Sequence, residues 1–287
     1  LDEAEYYVQK SNQVVVLSSS AASSLASTVV TSIKKKHVSD IKNITVLSHL
    51  RRKKISALSI VISSNPPLSD ASAGVVIFTS GTTGKPKGAV LRRSYTHYTA
   101  EAIGEGYDID YNDTLLHVLP VHHTTGLGTS FFPWMVAGGT IEFRSGPKFS
   151  PEWIWNRWVQ GGITVFSGVP TIYMRLRWHF EQNIANLPEE EKQKFITAVN
   201  QMRVLKCGSS ALQKDVQVFF TKLRNGRPIL TRYGATEFPG CIKVPSNMDP
   251  TTLPDDCVGM VVPGVEVKLS NGEAGELLVK SPYMFSR

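Results

Sequence analysis

Short apolar runs alternate with amphipathic stretches through most of the chain. Val14-Val15-Val16-Leu17 reads as a buried strand, a Ser/Ala-rich stretch through Ile33 as a helix, and Ile44-Thr45-Val46-Leu47 as the next strand. That βαβ rhythm predicts a parallel sheet. Past the polar linker Ser63-Ser64-Asn65-Pro66-Pro67, strands are expected at Val75-Val76-Ile77-Phe78, Leu115-Leu116-His117-Val118-Leu119, Ile163-Thr164-Val165-Phe166 and Val204-Leu205-Lys206-Cys207. Helices are expected from Pro151 to Gln160, Pro170 to Gln182 and Leu212 to Arg224. The first two open on proline, whose fixed φ and missing N–H suit a first turn. From Pro254 the pattern shortens to alternating strands, Val265-Glu266-Val267-Lys268-Leu269 and Gly275-Glu276-Leu277-Leu278-Val279, around the turn Ser270-Asn271-Gly272. The expectation is an α/β protein: doubly wound, mostly parallel sheets flanked by helices over residues 1–253, then the start of a β-rich part over 254–287.

Composition narrows the partners. With 41% hydrophobic and 19% charged residues the chain has an ordinary globular balance. No apolar run reaches the roughly 18 residues of a membrane span, and the acidic start Leu1-Asp2-Glu3-Ala4-Glu5 does not read as a signal peptide. The three cysteines, Cys207, Cys241 and Cys257, are widely spaced and lack a CxxC or a metal-spaced histidine. They read as free thiols in a reducing compartment, hence an intracellular protein, with cytoplasm, mitochondrion and peroxisome not distinguished. The net charge is +7, yet the basic runs Lys34-Lys35-Lys36 and Arg51-Arg52-Lys53-Lys54 have no interleaved aromatics. They read as solvated faces rather than a nucleic-acid surface. No pattern sets the oligomeric state.

The segment most informative about chemistry is Phe78-Thr79-Ser80-Gly81-Thr82-Thr83-Gly84-Lys85-Pro86-Lys87-Gly88. Its glycines let main-chain N–H groups converge on an anion, while hydroxyls and two lysines add donors and charge, which suits a polyphosphate. A Walker loop is excluded, because Lys85 is followed by Pro86 and no Gly-Lys-Ser/Thr occurs. The segment resembles the Ser/Thr-Gly-Thr-Thr-Gly-x-Pro-Lys-Gly signature of the adenylate-forming superfamily: acyl-CoA synthetases, nonribosomal-peptide adenylation domains and luciferases. Thr231-Arg232-Tyr233-Gly234-Ala235-Thr236-Glu237 resembles that family's Tyr-Gly-x-Thr-Glu motif. Gly208-Ser209-Ser210-Ala211-Leu212 resembles its adenine-binding turn, although a plain strand-to-helix turn with a Ser N-cap has the same composition. Leu119-Pro120-Val121-His122-His123-Thr124-Thr125-Gly126 resembles its substrate-side motif.

The resemblance implies ATP, Mg²⁺ and coenzyme A as cofactors and a small carboxylic acid as substrate. Thr79, Ser80, Gly81, Thr82, Thr83, Gly84, Lys85 and Lys87 would cradle the phosphates. Gly208, Ser209, Ser210, Arg232, Tyr233 and Gly234 would surround the nucleoside, with Tyr233 stacked on adenine. Thr236 would bond the α-phosphate, Glu237 would hold Mg²⁺, and His123 would align the acid. His123, Thr236, Glu237 and Lys87 are thus the expected catalytic set, with alignment and charge neutralisation as their contribution. Among subfamilies, the strings His117-Val118-Leu119-Pro120-Val121-His122-His123, Gly168-Val169-Pro170-Thr171-Ile172-Tyr173 and Arg232-Tyr233-Gly234 look like malonyl-CoA synthetases. In those enzymes an Arg at the place matching Arg203 pairs the distal carboxylate, a task suited to a planar guanidinium. Ala235, Lys206 and Cys207 depart from that subfamily. The expected function is ATP-dependent activation of a short or dicarboxylic acid as acyl-AMP, then transfer to coenzyme A. A carrier-protein thiol as acceptor and an inactive nucleotide-binding module are the alternatives. The family's ribose-binding motif and small catalytic domain are expected beyond Arg287, so turnover is not expected of this stretch alone.

Overall fold

The computed structural model describes residues 2–11, 15–36, 40–46, 69–79, 84–144, 149–245, 248, 252–254 and 257–286. The chain divides into two compact units, Leu1–Ser69 with Phe78–Gly88, and Asp70–Ile77 with Ala89–Arg287. The composition change at Pro254 falls inside the second.

The first unit opens on α1 (Asp2–Lys10), β1 (Val15–Ser19), α2 (Ser23–Lys36) and β2 (Lys42–Val46). β1 and β2 pair in parallel, Val15 opposite Lys42, so the βαβ reading holds. Val29, Val30, Ile33 and Ile41 form its core, with Ala4, Val8 and Val16 packed against them. Val14, Leu47 and the linker 63–67 lie outside the described residues. β3 (Ala73–Thr79) and β4 (Lys87–Arg92) form a separate two-stranded sheet.

The second unit continues with α3 (Tyr98–Glu105), β5 (Thr114–His117), a helical turn α4 (Thr124–Gly126), a π-helical segment Leu127–Phe131 and α5 (Phe132–Ala137). Next come β6 (Thr140–Phe143), α6 (Pro151–Val159), β7 (Val165–Gly168), α7 (Pro170–His179) and α8 (Glu189–Gln201). The chain then forms β8 (Val204–Cys207), α9 (Lys214–Leu223), β9 (Ile229–Tyr233), β10 (Ile242–Lys243), β11 (Met260–Val261), β12 (Glu266–Leu269) and β13 (Leu277–Lys280). Ser150 caps α6 by accepting from the Trp153 N–H at 3.1 Å, and Pro151 takes the first turn as its fixed φ predicts.

A seven-stranded sheet in the order β11-β10-β9-β8-β7-β5-β6 organises this unit. β9, β8, β7, β5 and β6 run parallel, and β10 is antiparallel to both its neighbours. The C-terminal strands β12 and β13 pair separately as an antiparallel hairpin with Val267 opposite Val279.

Successive residues of a strand point to opposite faces, which divides the core in two. Leu116, Phe166, Leu205 and Ile229 pack with Trp155, Trp158, Tyr173 and Phe220 from the α6, α7 and α9 side. Leu115, Val165, Val204 and Leu230 pack with Tyr107, Ile109 and Trp134 on the α3 and α5 side. The starts of three strands are tied together just before the sheet begins. The Thr164 hydroxyl donates to Asp113 Oδ1 at 2.6 Å, and Arg203 Nε donates to the same oxygen at 3.1 Å. Arg203 Nη2 pairs with Asp113 Oδ2, and Nη1 donates to the Tyr107 carbonyl at 2.9 Å.

Candidate active site

Parallel strands send their following loops off one edge, where open α/β sheets bind ligands. At this edge the chain leaves β5 toward His123, β8 through Gly208-Ser209-Ser210, and β9 through Gly234-Ala235-Thr236-Glu237. Three of the four motifs found in the sequence therefore meet at the C-terminal edge of one sheet.

Ser209 sits at φ 78°, a left-handed conformation that non-glycine residues seldom take. α9 begins only at Lys214, with Gln213 at its N-cap and no side-chain capping bond, so the serines do not serve as a helix cap. The turn instead presents small residues and main chain. A Cβ on Gly208 would lie 2.9 Å from Arg232 Nε, so glycine lets Arg232 cross beneath it. A Cβ on Gly234 would lie 2.4 Å from the Gly240 nitrogen, which makes the tight turn after β9 glycine-dependent. Beside it Tyr233 is exposed, its ring tilted against that of Phe238 at 6.4 Å, and Thr236 is buried. The Glu237 carboxylate makes no hydrogen bond or ion pair with a described residue, while its carbonyl accepts from the Phe285 N–H at 2.9 Å.

His123 is exposed and caps α4, its Nδ1 accepting from the Thr125 N–H at 3.5 Å. A neutral ring held this way carries its proton on Nε2, as a donor suited to a carboxylate.

Deeper in the sheet lies a row of polar side chains that the sequence pattern did not single out as a group. His117 on β5, Ser167 on β7 and Lys206 on β8 occupy neighbouring positions on the α3/α5 face, as the strand registers place Leu116 opposite Phe166 and Ser167 opposite Lys206. All three are buried, and Arg232 on β9 is buried on the same face. His117 Nε2 donates to the Gly126 carbonyl at 2.9 Å, and burial keeps the imidazole neutral by pushing its pKa down. Lys206 Nζ donates to the Thr129 carbonyl at 3.1 Å and lies 4.7 Å from the Trp134 ring and 4.9 Å from the Tyr107 ring. Burial, and next the charge of Arg232, push its pKa well down. The Arg232 guanidinium makes no hydrogen bond or ion pair with a described residue. It lines a cavity of about 30 Å³ together with Tyr107, Thr129, Pro239 and Lys243. Lys243 donates to the Gly106 carbonyl at 3.1 Å and approaches the Tyr107 ring at 5.3 Å. The neighbouring Cys207 thiol is pushed up to about 12 by burial, which rules it out as a nucleophile at neutral pH.

Arg203 does not join this site. It precedes β8 at the N-terminal edge, opposite to the edge where the loops gather, and its guanidinium is engaged with Asp113 and Tyr107. The expectation that it reads a substrate carboxylate is corrected on that ground: the group is a clamp for strand starts. The buried, unpaired arginine is Arg232, expected from the motif only as a nucleoside neighbour.

The Gly-rich loop belongs to the first unit. Ser80, Gly81, Thr82 and Thr83 lie outside the described residues. The loop joins β3 to β4, so no helix N-terminus follows it and anion binding there would rest on main-chain N–H groups and the lysines. The Thr79 hydroxyl donates to the Lys87 carbonyl at 3.4 Å, Tyr6 donates to the Pro86 carbonyl at 2.8 Å, and Lys85 Nζ lies 5.7 Å from the Tyr6 ring. Gly84, Lys85 and Lys87 are exposed.

The model of the AMP-binding enzyme family matches residues 1–287. The chain belongs to the AMP-binding enzyme family. It is 35% identical over 257 residues to a probable CoA ligase of Humulus lupulus, covering 83% of this chain and 40% of that protein. It is also 35% identical over 226 residues to the malonate–CoA ligase of Arabidopsis thaliana, covering 74% of this chain and 36% of that protein. Among solved structures, a malonyl-CoA ligase ternary product complex with methylmalonyl-CoA and AMP bound superposes with a TM-score of 0.77 at 25% identity. That match covers 99% of this chain and 55% of the solved one. The chain thus spans well under two thirds of the relatives' lengths. Within this AMP-binding fold, no group of three or more His, Cys, Asp or Glu side chains among the described residues is placed to hold a metal, and no described helix is long and apolar enough to cross a membrane.

Proposed function

We propose that this chain carries the acid- and nucleotide-binding part of an acid–thiol ligase acting on a short dicarboxylic acid such as malonate. An oxygen of the acid attacks the α-phosphorus of ATP, and the bond to pyrophosphate breaks as the acyl-AMP forms. The sulfur of a thiol, that of coenzyme A, then attacks the acyl carbon, and AMP leaves with the electron pair of the broken C–O bond. Tyr233 stacks on the base, the Thr236 hydroxyl donates to the α-phosphate, and Lys85 and Lys87 neutralise the departing phosphates. His123 Nε2–H steadies the attacking carboxylate in line with phosphorus. Magnesium would be held by the uncommitted carboxylate of Glu237 and would supply charge neutralisation there.

The observation that carries the choice of acid is Arg232. Its side chain lines the cavity with no carboxylate partner among the described residues, and its planar fork matches a carboxylate. The malonate–CoA ligase and methylmalonyl-CoA-bound relatives support the same acid class. The test is pyrophosphate exchange into ATP by the full-length protein, driven by malonate, propionate or butyrate. Arg232→Ala is expected to lower kcat/KM for malonate at least a hundredfold, in line with about 3 kcal/mol for removing one partner of a buried charge pair, and to change the monoacids less than tenfold. Equal losses for all three acids would remove Arg232 from acid recognition.

A further inference from the structure

Lys206 is fully buried in the middle of a parallel strand, where its neighbours Val204 and Leu205 are apolar. The groups facing it come from every surrounding element: His117 from β5, Ser167 from β7, Arg232 from β9, Thr129 from the π-helical segment, Trp134 from α5 and Tyr107 from the loop after α3. Lys243 reaches the same Tyr107 ring, and Arg203 and Asp113 act from the N-terminal edge. Asp113, the one carboxylate in this set, is already paired with Arg203. Without ligand, Lys206 therefore sits among positive charges, and burial together with Arg232 favours its neutral amine.

A carboxylate arriving at Arg232 reverses that local field. It offsets the guanidinium charge and brings an acceptor into a space walled by Tyr107 and Thr129, the two residues that Lys206 Nζ already touches. An ammonium there has three N–H donors, one on Thr129 and others for the anion, and it keeps the two aromatic faces as cation–π partners. We propose that Lys206, which stands behind the Tyr107 and Thr129 wall of the acid cavity rather than on its lining, is a specificity-determining residue, the second positive partner of a carboxylate held at Arg232, and that it takes up one proton as that carboxylate enters. This rests on the acid-pocket reading of Arg232 above. The proton comes from solvent and ends on Nζ, so binding of the dianion is charge-compensated inside the sheet. The bound state holds one proton more than the free state, so malonate affinity falls as pH rises above the free-state pKa of Lys206, by about tenfold per pH unit. A monoacid leaves nothing at Arg232 and carries no such dependence.

The experiment is calorimetric titration of malonate into the chain at about pH 8, in buffers of different ionisation enthalpy. The slope of observed enthalpy against buffer enthalpy counts protons and is expected to show net uptake. Lys206→Met, of similar volume, is expected to bind at least tenfold more weakly with a slope near zero, and Arg232→Gln to lose malonate binding. A wild-type slope of zero, or an unchanged slope in Lys206→Met, with binding still dependent on Arg232, overturns the role of Lys206 and leaves the acid pocket standing. Malonate binding that survives Arg232→Gln, or no binding by the wild type, overturns the acid pocket itself. The wild-type slope needs no variant, so a misfolded Lys206→Met does not shield the proposal.

Discussion

The two faces of the seven-stranded sheet are built from alternate residues of the same strands and have opposite characters. Toward α6, α7 and α9, Leu116, Phe166, Leu205 and Ile229 meet an aromatic layer in which Trp155 touches the rings of Trp158, Phe180 and Phe220. Of its polar atoms, Trp155 Nε1 donates to the Leu176 carbonyl at 3.0 Å and the Tyr173 hydroxyl to the Lys206 carbonyl at 2.9 Å, while Trp158 Nε1, Gln217 Oε1 and Arg224 Nε are buried without a partner among the described residues. Toward α3 and α5, the rear half of each strand is equally apolar, but the positions nearest the C-terminal edge are His117, Ser167, Lys206 and Arg232. The Ser167 hydroxyl and the Tyr107 hydroxyl are buried there with no hydrogen-bond partner among the described residues. One face stabilises the fold. The other gathers ionisable side chains, His117, Lys206 and Arg232, with no carboxylate of their own where the ligand-bearing loops emerge, which is the pattern expected when stability is given up at a binding site.

The contrast is open to attack by substitution. The largest effect is expected on the aromatic face: Trp155→Ala should lower unfolding free energy by about 3–5 kcal/mol in urea denaturation, because a fully buried indole leaves a cavity among rigid rings. A loss under 1 kcal/mol would mean that this face is not the stabilising one.

The strand-start clamp comes next, with about 2 kcal/mol expected for Asp113→Asn, which weakens charged hydrogen bonds to Arg203 and Thr164. Burial alone would raise the Asp113 pKa, but the bonds from Arg203 and Thr164 outweigh it and hold the carboxyl below its ordinary value. The sign follows: a depressed folded-state pKa gives stability that is present above the unfolded pKa, about 4, and lost as pH falls through the folded value. Wild type should therefore lose more stability than Asp113→Asn between about pH 5 and pH 2, measured by thermal melts across that window.

Smallest, and opposite in sign, is Lys206→Met. Burial, and next the charge of Arg232, lower the folded-state pKa of Lys206, so the residue's contribution to stability rises with pH toward its unfolded pKa of about 10.4 and opposes folding below it. The methionine variant should be more stable than wild type by about 1 kcal/mol at pH 7, with the gain shrinking by pH 10. A destabilised variant would place Lys206 on the structural side of the comparison.

Much of this arrangement was legible in the sequence. The β7, β8, α6, α7 and α9 segments follow from apolar runs and proline starts, and the glycines at 208 and 234 mark places where a Cβ would strike Arg232 or Gly240. α8 has no counterpart in the apolar pattern, although Pro188 followed by Glu189, Glu190 and Glu191 is a helix-start signal with acidic residues at the positive end of the dipole. The π-helical turns after α4 and α7 break the 3.6-residue period on which such reading depends. Arg203 was misplaced because its neighbourhood to the adenine turn is only sequential: four strand residues carry the chain from one edge of the sheet to the other. Lys206 is read from the sequence only as a departure from the subfamily's pattern; which face it points to, and that Arg232 shares that face, depends on the register of β8 against β9.

The most direct measurement is a crystal structure of the chain with malonate. The account predicts one carboxylate in the cavity beside Tyr107 and Thr129, with oxygens about 3 Å from the Arg232 guanidinium and from Lys206 Nζ, and the Asp113–Arg203 pair intact. Malonate seated on Arg203 with Asp113 displaced, or bound with Arg232 left unpaired, would contradict it.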